Sequence, residues 1–170
     1  YVGIPELRKG FANWYQRWYG VELNPNTEIQ PLIGSKEGIL HVTLAFVNPG
    51  EQVLVPNPGY PTYTSLSKIL GAEVINYDLK EEDGWMPDFE ALEKMDLSRV
   101  KLMWTNYPNM PTGANATPEI YERLVDFARR KNIVIVNDNP YSFILNDKPI
   151  SILSVPGAKD CCIEFNSMSK

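Results

Sequence analysis

Five short runs, "QVLVP", "EVINYD", "VKLMWTN", "IVIVND" and "CCIEFN", alternate with segments of helical spacing, and this alternation constrains the fold more than any other feature of the chain. Runs this short and nearly continuous in apolar residues suit strands buried on both faces, the pattern of a parallel sheet. Parallel neighbours need crossover connections, and helices in those crossovers cover the two faces of the sheet. The expected fold class is therefore α/β, a three-layer α/β/α domain with a mostly parallel sheet.

The helical segments carry their own end signals. In "PELRKGFANWYQRWYG", Leu7, Phe11, Trp14 and Trp18 fall on one helix face, Pro5 suits the first turn and Gly20 the end. The Trp14/Trp18 stripe is assigned to the core. "GSKEGILHVTLAFVNPG" predicts a helix starting near Ser35 and stopping at Asn48-Pro49-Gly50. It is apolar on most faces from Ile39 to Val47, which predicts a buried helix with His41 as a core histidine. "NPGYPTY" is a turn-rich loop that opens a further helix, ending near Gly71. Asp88 is the expected cap of the short helix in "PDFEALEKM". Thr117 caps "TPEIYERLVDFARRKN", Pro118 fits its first position, and Ile120, Leu124 and Phe127 or Ala128 face inward.

Composition narrows the function classes. With 170 residues, 44% hydrophobic and 22% charged, the chain has the profile of one globular domain with a sizeable core. Its net charge of −5 argues against nucleic-acid and anionic-membrane partners, which favour basic surfaces. No apolar run approaches the roughly 20 residues of a membrane span, and the start shows no basic-then-apolar signal pattern. Cys161 and Cys162 are adjacent, where a bridge would be badly strained, so reduced thiols and a cytoplasmic location are expected. Two cysteines and one histidine do not make a structural zinc site. Both ends look cut, so a piece of a longer chain, stopping at Lys170, is expected.

In open parallel sheets, ligands sit outside the carboxyl ends of the strands. Polar and aromatic clusters should then follow the strands, and they do: "NPGYP", "NYPNMPTG", "NDNPY" and "NSMSK". Ser35 and Lys36 in "GSKEG" start a helix, where backbone N–H groups and the helix dipole suit an anion, although a plain cap reads the same way. Asp138 ends an apolar strand, where its carboxylate can pair with a protonated ring nitrogen or simply cap a loop. Tyr141 can donate to a phenolate-type oxygen or pack. Tyr60 can stack on a planar ring or fill a half-buried loop position. Asn106, Asn109 and Thr112 are the polar tips of a rigid bend. Ser167 and Ser169 can bind an anionic group beside Lys170, whose amine becomes a nucleophile when it loses its proton. Lys170 could equally be a frayed end. A phosphate cradle, a ring-nitrogen partner, a stacking aromatic, a phenol and an amine are the parts that hold pyridoxal phosphate.

Over essentially its whole length the sequence resembles the large domain of class I/II aminotransferases of fold type I, and most of all LL-diaminopimelate and aspartate aminotransferases. The resemblance rests on "GSKEG", "NPGYP", "NYPNMPTG", "DNPY" and "SMSK", in the family's order and approximate spacing. It implies that residues 1–170 are a partial cofactor-binding large domain, with the small C-terminal domain absent. It further implies that Lys170 bonds covalently to pyridoxal phosphate and shuttles a proton. Asp138 would pair with the pyridine nitrogen, Tyr141 with the phenolic oxygen, and Tyr60 would stack on the ring. Ser35, Lys36 and Ser167 would hold the phosphate, with Ser169 beside them.

One departure stands out. Met110 occupies the position where the family's Asn-Pro-Thr-Gly turn carries an asparagine that bonds the phenolic oxygen, and the neighbouring Asn109 is the remaining candidate for that contact. The implied reaction is transamination between an amino acid and a 2-keto acid, carried out by a homodimer of the full-length protein, with the 170-residue piece itself inactive. Elimination or decarboxylation on the same cofactor, and a non-catalytic ligand-sensing domain, are the alternatives.

Overall fold

The computed structural model describes residues 2–170. Its five strands are β1 (Gln52–Asn57), β2 (Glu73–Asp78), β3 (Val100–Asn106), β4 (Val134–Asn139) and β5 (Cys162–Asn166). They form one sheet in the order β2-β1-β3-β4-β5, and every pairing is parallel. The helices are α1 (Pro5–Tyr19), α2 (Ser35–Phe46), α3 (Pro61–Ile69), α4 (Phe89–Lys94) and α5 (Pro118–Lys131).

Strand side chains alternate between faces, and the two faces feed two separate cores. Val53, Val55, Leu102, Trp104, Val136 and Phe165 pack with α2 and α3. Leu54, Met103, Ile135 and Cys162 pack with α4 and α5. The result is the expected α/β/α layering, with the sheet buried from both sides.

Several helix ends follow their sequence signals. Asp88 accepts from the Ala91 N–H and Thr117 from the Ile120 N–H, each satisfying a first-turn donor. Gly20 closes α1 in the left-handed region at φ 68°. Leu124, Phe127 and Ala128 are fully buried, as expected, whereas Ile120 is only partly so.

Two helix faces differ from expectation. On α1 the inward pair is Tyr15 and Tyr19, while Trp18 and Leu7 are 42% and 44% exposed. The tyrosines win because their hydroxyls reach polar groups of the sheet: Tyr15 donates to Glu164 (3.1 Å), and Asn166 Nδ2 donates to Tyr19 (3.2 Å). The tryptophans instead form an outer aromatic cluster with Phe143. On α2 only one face is covered: Gly38, Ile39 and Thr43 are buried, while Leu44, Phe46 and His41 are exposed. His41 is thus not a core histidine, because it lies on the side turned away from the sheet.

Cys161 and Cys162 are free thiols, 3.8 Å apart at sulfur. Burial pushes both thiols up from their ordinary range. Among the described residues, no helix is long and apolar enough to cross a membrane, and no group of three or more His, Cys, Asp or Glu could hold a metal ion.

Candidate active site

The sheet order reverses at β1 and β3: the chain moves from β1 outward to β2, then returns to β3 and continues to β4 and β5. Loops leaving the strands diverge at such a point and leave a crevice. A cavity of about 470 Å³ opens there, within the size range of small-ligand pockets. Ser35, Lys36, Tyr60, Asp138, Tyr141, Ser167, Ser169 and Lys170 all line it.

The start of α2 forms one wall. Gly34 is its N-cap at φ 90°, ψ 153°, a backbone conformation reserved for glycine, and it offers no side chain to cap the first-turn N–H groups. Glu37 reaches back to accept from the Ile33 N–H (2.6 Å) and fixes the entry to the helix. The backbone donors of Ser35 and Lys36 therefore lie at the positive end of the helix, beside the cavity. The hydroxyls of Ser167 and Ser169, hydrogen-bonded to each other at 2.7 Å, line the same cavity.

Asp138 sits two residues after Val136 on β4, so its side chain emerges on the α2/α3 face. It is 5% exposed, and its Oδ2 accepts from the hydroxyl of Tyr63 (2.7 Å). Burial raises the Asp138 carboxyl above the usual carboxylate range, and the Tyr63 hydrogen bond opposes that rise. Tyr63 itself is pushed well above the ordinary phenol range, first by burial and then by the neighbouring Asp138. Tyr60, the N-cap residue of α3, is half-buried and stands edge-on to Tyr63. The Lys170 ammonium lies 6.0 Å from the centre of the Tyr141 ring.

Asn109 is not brought to the cavity. It is 3% exposed, and its Oδ1 accepts from the hydroxyl and N–H of Thr112 (2.8 and 3.3 Å), so it knits its own turn together. Met110 lines the cavity in its place. Asn106, adjacent to Asp138 in register, does more than expected of a polar tip. Its Nδ2 donates to the Asp138 carbonyl (2.7 Å) and its Oδ1 accepts from the Met110 N–H (2.7 Å), joining the turn to the end of β4. Tyr63 is the residue that the sequence reading missed. It stands three positions after Tyr60 in the first turn of α3, a spacing that puts both rings on one side of a helix.

These parts fit pyridoxal phosphate: an anion cradle at a helix start, a buried carboxylate with one oxygen tied back, two tyrosines and an amine around one cavity. The sequence pattern of the family "Aminotransferase class I and II" matches residues 1–170. The chain is 49% identical over 170 residues to the LL-diaminopimelate aminotransferase of Dehalococcoides mccartyi, covering 99% of this chain and 44% of the relative. It is 50% identical over 172 residues to the Aquifex aeolicus enzyme of the same name, covering 100% and 44%. Its fold matches the substrate-bound BacF structure from Bacillus subtilis with a TM-score of 0.94 at 42% identity, covering 99% of this chain and 43% of that one. The chain thus spans less than half the length of these relatives, and over that span it belongs to the class I and II aminotransferase family.

Proposed function

We propose that residues 1–170 act as part of the cofactor-binding large domain of a pyridoxal-phosphate-dependent transaminase, which moves an amino group from an amino acid to a 2-keto acid. The observation that supports this most is the meeting of Asp138, Tyr60, Tyr141, Lys170 and the α2 N-terminus around one cavity. When bound, pyridoxal phosphate supplies an aldehyde that condenses with amines and a ring that takes up the electrons released when a Cα–H bond breaks.

The chain's own residues supply the rest. The first-turn N–H groups of α2, with Ser167 and Ser169, would hold the dianionic phosphate by charge-assisted hydrogen bonds. The Asp138 carboxylate favours the protonated form of a ring nitrogen placed against it, since an opposite charge stabilises the charged partner. Tyr60 would cover a ring face and Tyr141 would donate to its phenolic oxygen. Lys170 Nζ would hold the cofactor covalently at rest and, once freed, would take the proton from the substrate Cα and deliver it to the cofactor side, the transfer that amino-group exchange requires.

The relatives' name makes LL-diaminopimelate the amino donor to try first. We place the whole protein in the cytoplasm, a reading supported by the free thiols Cys161 and Cys162, and as a homodimer, as the resemblance to the family implies.

The test is amino transfer by the full-length protein, measured as keto-acid-dependent consumption of an amino acid. Transfer should require a 2-keto acid, and Lys170→Ala should lower the rate by at least three orders of magnitude. Ammonia or carbon dioxide released without a keto acid would overturn transamination. It would favour a lyase or decarboxylase, for which Met110 at the cavity wall leaves room.

A further inference from the structure

The back of Asp138 is built as carefully as its front. Among the described residues, Tyr63 is the side chain that donates to this carboxylate, and it does so at 2.7 Å from a position with no exposed surface. The phenol has no freedom to swing away. Its ring stacks on Trp104 with centroids 4.8 Å apart and planes 6° from parallel, and it meets Tyr60 edge-on at 5.6 Å and 83°. Pro61 opens α3 two residues earlier and fixes the backbone from which the ring projects. A buried phenol needs some partner wherever it lies. Here the partner is the one carboxylate side chain that lines the cavity among the described residues, and the ring also backs the aromatic assigned to ring stacking.

We propose that Tyr63 is a positioning residue for Asp138: it ties down Oδ2 so that the other carboxylate oxygen is left for the N–H of a protonated heteroaromatic ring in the cavity. The proposal rests on the cofactor reading above and deepens it. Without the phenol, the carboxylate loses the donor that favours its charged form and gains freedom to rotate. Both losses weaken its hold on a cationic ring nitrogen. The titratable groups facing Asp138 are Tyr63 from α3 and, around the cavity, Tyr60, Lys36, Tyr141 and Lys170, so the effect of Tyr63 must be read as a difference between variants.

The test is Tyr63→Phe, which keeps the Trp104 stack and removes the hydroxyl alone. Asp138 would be followed by carbon-13 NMR of its carboxyl without ligand, and pyridoxal phosphate affinity by titration with borohydride trapping at Lys170. Tyr63→Phe should move the Asp138 titration to higher pH and weaken affinity roughly tenfold, the loss of one hydrogen bond to a charged group. In an Asp138→Asn background, Tyr63→Phe should change affinity less than twofold, because the group it orients is no longer charged. An unmoved Asp138 titration, with affinity within twofold of the parent protein and Lys170 still trapped, would overturn the positioning role and leave the cofactor reading standing. No Lys170 adduct in the parent protein would overturn the cofactor reading and this inference with it.

Discussion

Asp138 lines the cavity from a position where burial opposes its charge. Its folded-state carboxyl is raised by burial, with the Tyr63 hydrogen bond opposing. A raised carboxyl stabilises the fold only while protonated; that contribution is complete below the unfolded value and is lost as pH rises through the folded one. Asp138→Asn should therefore gain stability relative to the parent chain as pH goes from 4 to 7, measured by urea unfolding at both, while weakening cofactor binding. Gly34 is the second residue under constraint: at φ 90° and ψ 153°, Gly34→Ala should cost about 1–3 kcal/mol in the same assay and weaken phosphate binding at α2.

At this scale most of the cavity lining was legible, because Ser35, Tyr60, Asp138, Tyr141 and Lys170 each follow a strand or open a helix. Tyr63 escaped because nothing local distinguishes the second tyrosine of "YPTY" from a core residue. Its meaning depends on Asp138 emerging on the α3 face, a fact set by strand alternation and sheet packing. Asn109 misled for the opposite reason: its place next to Met110 looked useful, but the turn needed its side chain for its own hydrogen bonds.

Glu164 is the tie between elements. From β5 it accepts from Asn137 on β4 (3.0 Å), Tyr15 on α1 (3.1 Å), and Ser151 and the Ile152 N–H in the segment before β5 (2.6 and 3.2 Å). Glu164→Ala would leave those donors unsatisfied and should cost on the order of 3 kcal/mol, with α1 loosening first in hydrogen exchange. Thr117→Ala, which removes one helix cap, should cost only about 1 kcal/mol in urea unfolding.

Element boundaries were readable from caps, prolines and apolar runs. The buried face of α1 was not. An apolar-periodicity reading favours Trp14 and Trp18, but burial went to the tyrosines whose hydroxyls could serve Glu164 and Asn166. A polar network inside the sheet redirected the helix, and only the glutamate within "CIEF" hinted at it. The exposed Leu44 and Phe46 of α2 likewise show that an apolar helix need not be covered on every side.

For the whole molecule, the architecture followed from pattern alone, since apolar runs joined by helices leave few topologies other than a parallel sheet covered on both faces. The strand order did not follow from it. Nothing in the sequence says that β1 lies between β2 and β3, yet that placement creates the crevice into which the strand-end loops converge.

The most direct measurement is chemical. The chain would be mixed with pyridoxal phosphate and reduced with borohydride, and the modified peptide located by mass spectrometry. The cavity geometry predicts one dominant adduct, on Lys170, that disappears in Lys170→Ala without moving to another lysine. Adducts scattered over the surface lysines, with none favoured at Lys170, would contradict the assignment of this cavity to the cofactor.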